Sequence, residues 1–280
     1  MIRCRTAALT AATGLALWGA ENNRNPITAT GQDPHARNRR QAHRQGGRSG
    51  QIGPVADPSS KPLRTYGRIK GRTLRAGRAS LLEQTLPRLQ LDLGEKLDPK
   101  ALMPAAREVW LELGFGGGEH LAAQAKAHPD VLLLGAEPFV NGVASLVRHV
   151  ADLGLGNVRL HAGDGRDLLA ALPDASVSRV HVLFPDPWPK TRHHKRRLIN
   201  VETLAELARV MAPGAVLGFA TDWADYLGWT LERFAASPAF AWTAERADDW
   251  RRPPADHVTT RYEEKRLGDC APVFLEFRRL

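Results

Sequence analysis

Residues 180–197 read VHVLFPDPWPKTRHHKRR. Val180 to Phe184 is a short apolar run, the pattern of a strand buried on both faces of a parallel sheet. It breaks at Pro185-Asp186-Pro187-Trp188-Pro189, where three prolines in five residues exclude helix and sheet ladder alike. A carboxylate and an indole are thereby held on a stiff turn just past a strand's carboxyl end, where open α/β sheets bind their ligands. Lys190, Arg192, Lys195, Arg196 and Arg197 follow at once, with His193 and His194 between them. An acid at the mouth of a sheet beside a basic strip points to chemistry on a polyanion.

On either side of this stretch, apolar runs alternate with amphipathic segments. Strands are predicted at 109–113, 131–136, 158–161, 180–184 and 215–220. The segments between and after them read as helices at 119–127, 141–153, 166–172, 201–211 and 226–235. Pro213-Gly214 is a stop signal after the fourth helix. Residues 240–244 and 273–277 read as closing antiparallel strands, and a short helix is predicted at 80–86. Five strand–helix alternations with short connections specify an α/β fold: a doubly wound, mostly parallel, seven-stranded Rossmann-like sheet with an antiparallel C-terminal strand.

Residues 1–60 differ from the rest. Ala7 to Ala20 is mildly apolar after Arg3 and Arg5, but Thr10, Thr13, Gly14 and Gly19 interrupt it. It is too short to span a bilayer and weak as a secretory h-region. Residues 22–60 are rich in Gly, Pro, Asn, Gln and Arg without periodicity, so 1–60 reads as a disordered or non-native extension. The domain proper then covers 61–280. It opens on a basic arm, 61–78, with seven cations (Lys61, Arg64, Arg68, Lys70, Arg72, Arg75 and Arg78) and no acid. An arm of that kind neutralises phosphates. Over the whole chain 39 Lys and Arg outnumber 30 Asp and Glu, a net +9, which favours a nucleic-acid partner over a membrane surface. Cys4 and Cys270 stand far apart without ligand spacing, so neither a disulfide framework nor a zinc site is expected, in keeping with a reducing cytoplasm.

Gly114-Phe115-Gly116-Gly117-Gly118 opens a helix directly after the first strand, with Glu112 inside the strand end. The glycines permit close backbone approach of a ligand, but their spacing departs from the dinucleotide fingerprint G-x-G-x-x-G. Glu137 at the end of strand two is placed to accept from both ribose hydroxyls. Asp164 after strand three is placed to accept from an adenine amino group, and singly each acid reads equally as a loop carboxylate or helix cap. Together they outline a nucleoside site. Both NAD and S-adenosylmethionine would present an adenosine there. The glycine spacing and the acid in strand one favour S-adenosylmethionine, which is cationic and lacks a pyrophosphate.

Several blocks together resemble the bacterial tRNA (guanine-N7-)-methyltransferase family. They are Glu112 to Gly118, Glu137, Asp164, Phe184 to Lys190, Thr221-Asp222-Trp223 and Thr260-Arg261-Tyr262-Glu263. The resemblance runs from about Lys61 to Arg279, and its FPDPWPK block is the most specific part. It implies a class I methyltransferase that uses S-adenosylmethionine to methylate N7 of guanine at position 46, in the variable loop of tRNA. It also implies that Glu112, Gly114, Gly116, Glu137, Asp164 and Asp186 contact the cofactor, with Asp186 catalytic. Lys190, Asp222, Thr260, Arg261, Tyr262 and Glu263 would bind substrate. The family's usual Lys-Phe is Arg261-Tyr262 here, which keeps charge and aromaticity. Trp188 either stacks on the base or packs the turn. No metal or membrane is expected, and monomer and homodimer remain equally open.

Overall fold

The computed structural model describes residues 67, 69, 71–94 and 97–280. The extension 1–60 and much of the basic arm lie outside them. Seven strands form one sheet: β1 (Glu108–Leu113), β2 (Val131–Ala136), β3 (Val158–His161), β4 (Val177–Leu183), β5 (Met211–Thr221), β6 (Phe240–Trp242) and β7 (Val273–Arg279), in the order β3-β2-β1-β4-β5-β7-β6. β1 to β5 pair in parallel, and β7 inserts antiparallel between β5 and β6. The expected doubly wound sheet with an antiparallel C-terminal strand is thus present.

Helices cover both faces because strand residues alternate in direction. On one face Leu111, Leu113, Leu132, Leu134, Val180 and Val182 pack against α5 (Gly165–Ala171), α6 (Val201–Val210) and α7 (Ala224–Ala236). On the other, Trp110, Leu133, Val158 and Leu160 pack against α1 (Ala76–Leu89), α3 (Glu119–Ala127) and α4 (Val140–Leu153). Three short helices complete the fold: α2 (Pro99–Leu102), α8 (Asp248–Arg251) and α9 (Arg261–Lys265).

Registers align the strand ends. Leu113 pairs with Ala136, Ala136 with His161, and Leu183 with Ala220. The turns after β1 to β5 therefore open on one edge, where the candidate acids sit.

Two local expectations change, and one element is new. The first helix runs from Ala76 to Leu89 rather than 80–86, accommodating Pro87 in its last turn. Pro213-Gly214 does not precede β5 but lies within it. Met211 pairs with Val177 and Val216 with Arg179, so the extra residues bulge outward into solvent, where a proline without an N–H is tolerated. The basic strip forms a 3-10 helix, Thr191–Arg196, that hydrophobic periodicity could not reveal because the segment has none.

Candidate active site

A cleft of about 560 Å³ lies along this edge. The glycine loop forms its floor. Gly114, Gly116 and Gly118 have positive φ values of 76°, 53° and 78°, a conformation that side chains resist. A Cβ at Gly118 would lie 2.7 Å from Leu146 Cβ, so the loop also needs that glycine to seat on α4. Three of the loop's five N–H groups are already engaged: Gly114 donates to Ala136 O, Gly116 to Glu137 Oε2 and Gly118 to Phe115 O, each at 2.8 Å.

Glu137 ties this floor to β2. Its second oxygen accepts from Phe139 N–H at 2.9 Å, and the side chain is buried. Burial pushes its carboxyl pKa up, opposed by the N–H groups of Phe139 and Gly116. Gly142 in the following helix completes the joint, since a Cβ there would meet Gly116 O at 2.2 Å. Asp164 lines the cleft and caps α5, accepting from Arg166 N–H at 3.0 Å and gripped by the Arg166 guanidinium at 3.0 and 2.6 Å. Both readings of Asp164, cap and cleft residue, describe its position.

Asp186 stands at the opposite end, on the Pro185–Pro189 turn. The turn is anchored from beneath: Arg197, 1% exposed, donates from Nε to Pro187 O at 2.9 Å, pairs with Asp225 and lies over the rings of Tyr226 and Trp229. Arg197 is therefore a support and not part of the outward cationic strip, which keeps Lys190, Arg192 and Lys195 exposed. Phe184 just before the turn and Trp188 within it have φ of 51° and 44°, unusual for bulky residues and a sign of local strain. Among the described residues no donor is bonded to the Asp186 carboxylate, and although one side is open to solvent, burial on the others raises its pKa. Trp188 lines the cleft with Arg196 over its ring at 4.9 Å and His193 edge-on at 5.9 Å.

The last of the motif blocks, Thr260 to Glu263, closes the cleft from the far side. Thr260 caps α9 in a box with Glu263, while Arg261 reaches across to Glu119 in an ion pair of 2.5 Å. Phe184 packs on Tyr262, with ring centroids 5.5 Å apart. Thr260, Arg261 and Tyr262 line the cleft, but Asp222, Glu263 and Lys190 are not among its lining residues. Buried Asp222 accepts from Tyr262 OH at 3.3 Å and from Gly268 N–H at 3.0 Å, so it binds the C-terminal loop in place. Glu263 is likewise taken up by its cap and by His257 at 3.0 Å. Lys190 is exposed at the start of the 3-10 helix.

The fold adds residues that motif reading passed over: Glu119, Gly142, Arg166 and, behind Glu112, His120. Only their positions just after the glycine loop and the two acids marked them. Among the described residues no helix is long and apolar enough to cross a membrane, and no group of three metal-ligating side chains is gathered.

A family model described as putative methyltransferase matches residues 106–274. The tRNA (guanine-N(7)-)-methyltransferase of Caulobacter sp. strain K31 is 58% identical over 219 residues, covering 78% of this chain and 96% of that protein. The protein of that name from Rhodospirillum rubrum is 50% identical over 232 residues, 80% of this chain and 91% of that one. Among solved structures, the 16S rRNA (adenine(1408)-N(1))-methyltransferase from Catenulisporales acidiphilia aligns with a TM-score of 0.47 and 21% identity, covering 66% of this chain and 94% of that one. With identity this high over nearly the whole of its relatives, the chain belongs to the tRNA (guanine-N(7)-)-methyltransferase family.

Proposed function

We propose that this protein methylates N7 of guanine in tRNA, at position 46 of the variable loop, with S-adenosylmethionine as methyl donor. The observation that carries the reading is a cleft lined with acids, in which three of the glycine loop's five N–H groups are already bonded. Carboxylates in that number repel a pyrophosphate and attract a cationic donor. Glu112, Gly114, Gly116, Glu137 and Asp164 would hold that donor, Glu137 facing the ribose and Asp164 the adenine. When bound, S-adenosylmethionine supplies an electrophilic methyl on a sulfonium.

Guanine N7 has a free lone pair in the neutral base, so attack needs no general base. As the N7–methyl bond forms, the methyl–sulfur bond would break with its electron pair left on sulfur, S-adenosylhomocysteine would depart, and the purine would be left positively charged. Asp186 suits that moment. Its oxygens, bonded to no donor among the described residues, would accept from the Watson–Crick edge of guanine and favour the cation electrostatically. Arg261 and Tyr262 border the same end. The exposed cations Lys190, Arg192 and Lys195, with the basic arm, would grip phosphates and so position tRNA without reading its sequence. This chemistry calls for no metal, and a tRNA substrate supports a cytoplasmic location.

The test is incubation of the purified protein with unmodified tRNA and radiolabelled S-adenosylmethionine, followed by nucleoside mass spectrometry. The expected product is 7-methylguanosine, confined to position 46 when ribonuclease fragments of the same tRNA are mapped by mass. Transfer to another nucleoside, or none, overturns the reading.

A further inference from the structure

Glu112 ends β1 on the side of the sheet that α3 covers, and it also lines the cleft. One of its oxygens lies 2.8 Å from His120 Nδ1, with the two side chains 5% and 3% exposed. The fold forces this meeting. The glycine loop turns the chain back on itself, so the second residue of α3 points down onto the strand end it has just left. One turn further along the helix, Gln124 Nε2 lies 3.3 Å from His120 Nε2 and donates to Asp256 O at 2.8 Å. The carboxamide nitrogen has two hydrogens. With one directed to Asp256 O, the other faces His120 Nε2, which must then accept.

A histidine whose Nε2 accepts carries its proton on Nδ1, because the bond at one ring nitrogen sets the tautomer at the other. A continuous relay follows, from Asp256 O through Gln124 and His120 to Glu112. Its surroundings preserve it. The His181 ring from β4 meets His120 edge-on at 4.7 Å, and full burial keeps it neutral. The His257 ring lies 6.3 Å away, itself held by Glu263. Burial pushes the His120 pKa down, but Glu112, with Asp256 and Glu263, outweighs it and leaves it raised. Protonation adds a hydrogen at Nε2 only, so Nδ1 donates in both charge states.

We propose that His120 is a positioning residue: its Nδ1–H holds one oxygen of Glu112 so that the other is presented to the ammonium group of the methyl donor, with Gln124 fixing the tautomer. This rests on the reading of Glu112 as part of the donor site. The relay also joins the donor end of the cleft to the segment that leads into α9.

Nitrogen-15 NMR of the histidine rings tests the tautomer, and calorimetry with S-adenosylhomocysteine, which keeps the ammonium, tests its consequence. Nδ1 of His120 should remain protonated from about pH 5.5 to 8.5, a range spanning the ordinary histidine pKa. An Nε2–H tautomer at the alkaline end overturns the proposal. His120→Leu should weaken binding of S-adenosylhomocysteine about tenfold, equivalent to one lost hydrogen bond to a charged group. His120→Asn, with an N–H near the same place, should restore most of the affinity. Unchanged affinity in folded His120→Leu, together with loss of binding in Glu112→Gln, refutes the role of His120 alone. Undiminished binding in Glu112→Gln removes Glu112 from the donor site, and the inference falls with it. Should His120→Leu not fold, the tautomer and His120→Asn still decide.

Discussion

The two ends of the cleft treat their carboxylates in opposite ways. At the glycine-loop end each acid is already engaged: Glu137 by two backbone N–H groups, Asp164 by Arg166 and its own cap, Glu112 by His120. At the proline-turn end no donor among the described residues is bonded to Asp186. The bonded acids are fixed in direction before any ligand arrives, which suits a site that must hold a molecule in one pose. The bare acid keeps its acceptors open, as its proposed role toward the substrate requires, and the turn that carries it is rigid instead. One end is preorganised through side chains, the other through backbone.

The strongest way to break that comparison is Asp186→Asn. If the charge matters chiefly when the purine becomes cationic, kcat should fall by about 10²–10³-fold, the scale for loss of one preorganised electrostatic group. Affinity for S-adenosylhomocysteine should survive in large part. Because burial raises the pKa of Asp186, methyl transfer by the wild type should fall off with decreasing pH at a value higher than that of an ordinary aspartate, and Asp186→Asn should lack that limb. Stability runs the other way. A carboxyl raised in the native state binds more protons there than in the unfolded chain, so its contribution declines as pH rises through that window. Asp186→Asn should therefore be no less stable than wild type at neutral pH. A variant that keeps full turnover, or simply unfolds, would place Asp186 among the structural acids.

A smaller effect is expected at Arg197, which supports the same end from below. Arg197→Met keeps the bulk between Tyr226 and Trp229 but removes the bond to Pro187 O. Leaving that partly buried carbonyl without its donor should cost about 1–3 kcal/mol in urea unfolding. The loosened turn should also lower kcat about tenfold. Binding at the donor end should be unaffected. If stability falls and turnover does not, rigidity of the turn is not what places Asp186.

The asymmetry between the ends also governs what was legible in the sequence. Strand and helix positions followed from apolar periodicity, and the edge location of Glu112, Glu137, Asp164 and Asp186 followed from their places after strands. What each carboxylate bonds to was not legible, since Arg166, His120 and Phe139 N–H reach it by short local turns that carry no pattern. Arg197 looked like one more member of a basic strip. Only the packing of α7, which brings Tyr226, Trp229 and Asp225 beneath the turn, draws it inward. Asp222 sits at a strand end like the other acids, yet the return of residues 262–270 over it converts it into a buried clamp. Long-range closure of this kind leaves no trace in local spacing.

The smallest effect concerns the basic arm, whose described part meets the donor end rather than the acceptor end. Ile69 O accepts from Val140 N–H at 3.0 Å, and the Asn141 carboxamide accepts from Gly71 N–H at 3.1 Å while donating to Arg72 O at 2.8 Å. Gly71 is needed for this approach, because a Cβ there would lie 2.5 Å from Asn141 Oδ1. Gly67, a few residues earlier, borders the cleft. Asn141→Ala removes both carboxamide bonds at a partly exposed site, which should cost about 1 kcal/mol at most. If the arm serves tRNA, the variant should raise the KM for tRNA several-fold and steepen no other parameter. If it instead covers the donor, affinity for S-adenosylhomocysteine should fall while the KM for tRNA holds. Measuring both constants on the one variant assigns the arm to an end: a change confined to tRNA keeps the donor end a self-contained, prebonded site, whereas a change in donor affinity makes the arm part of its wall.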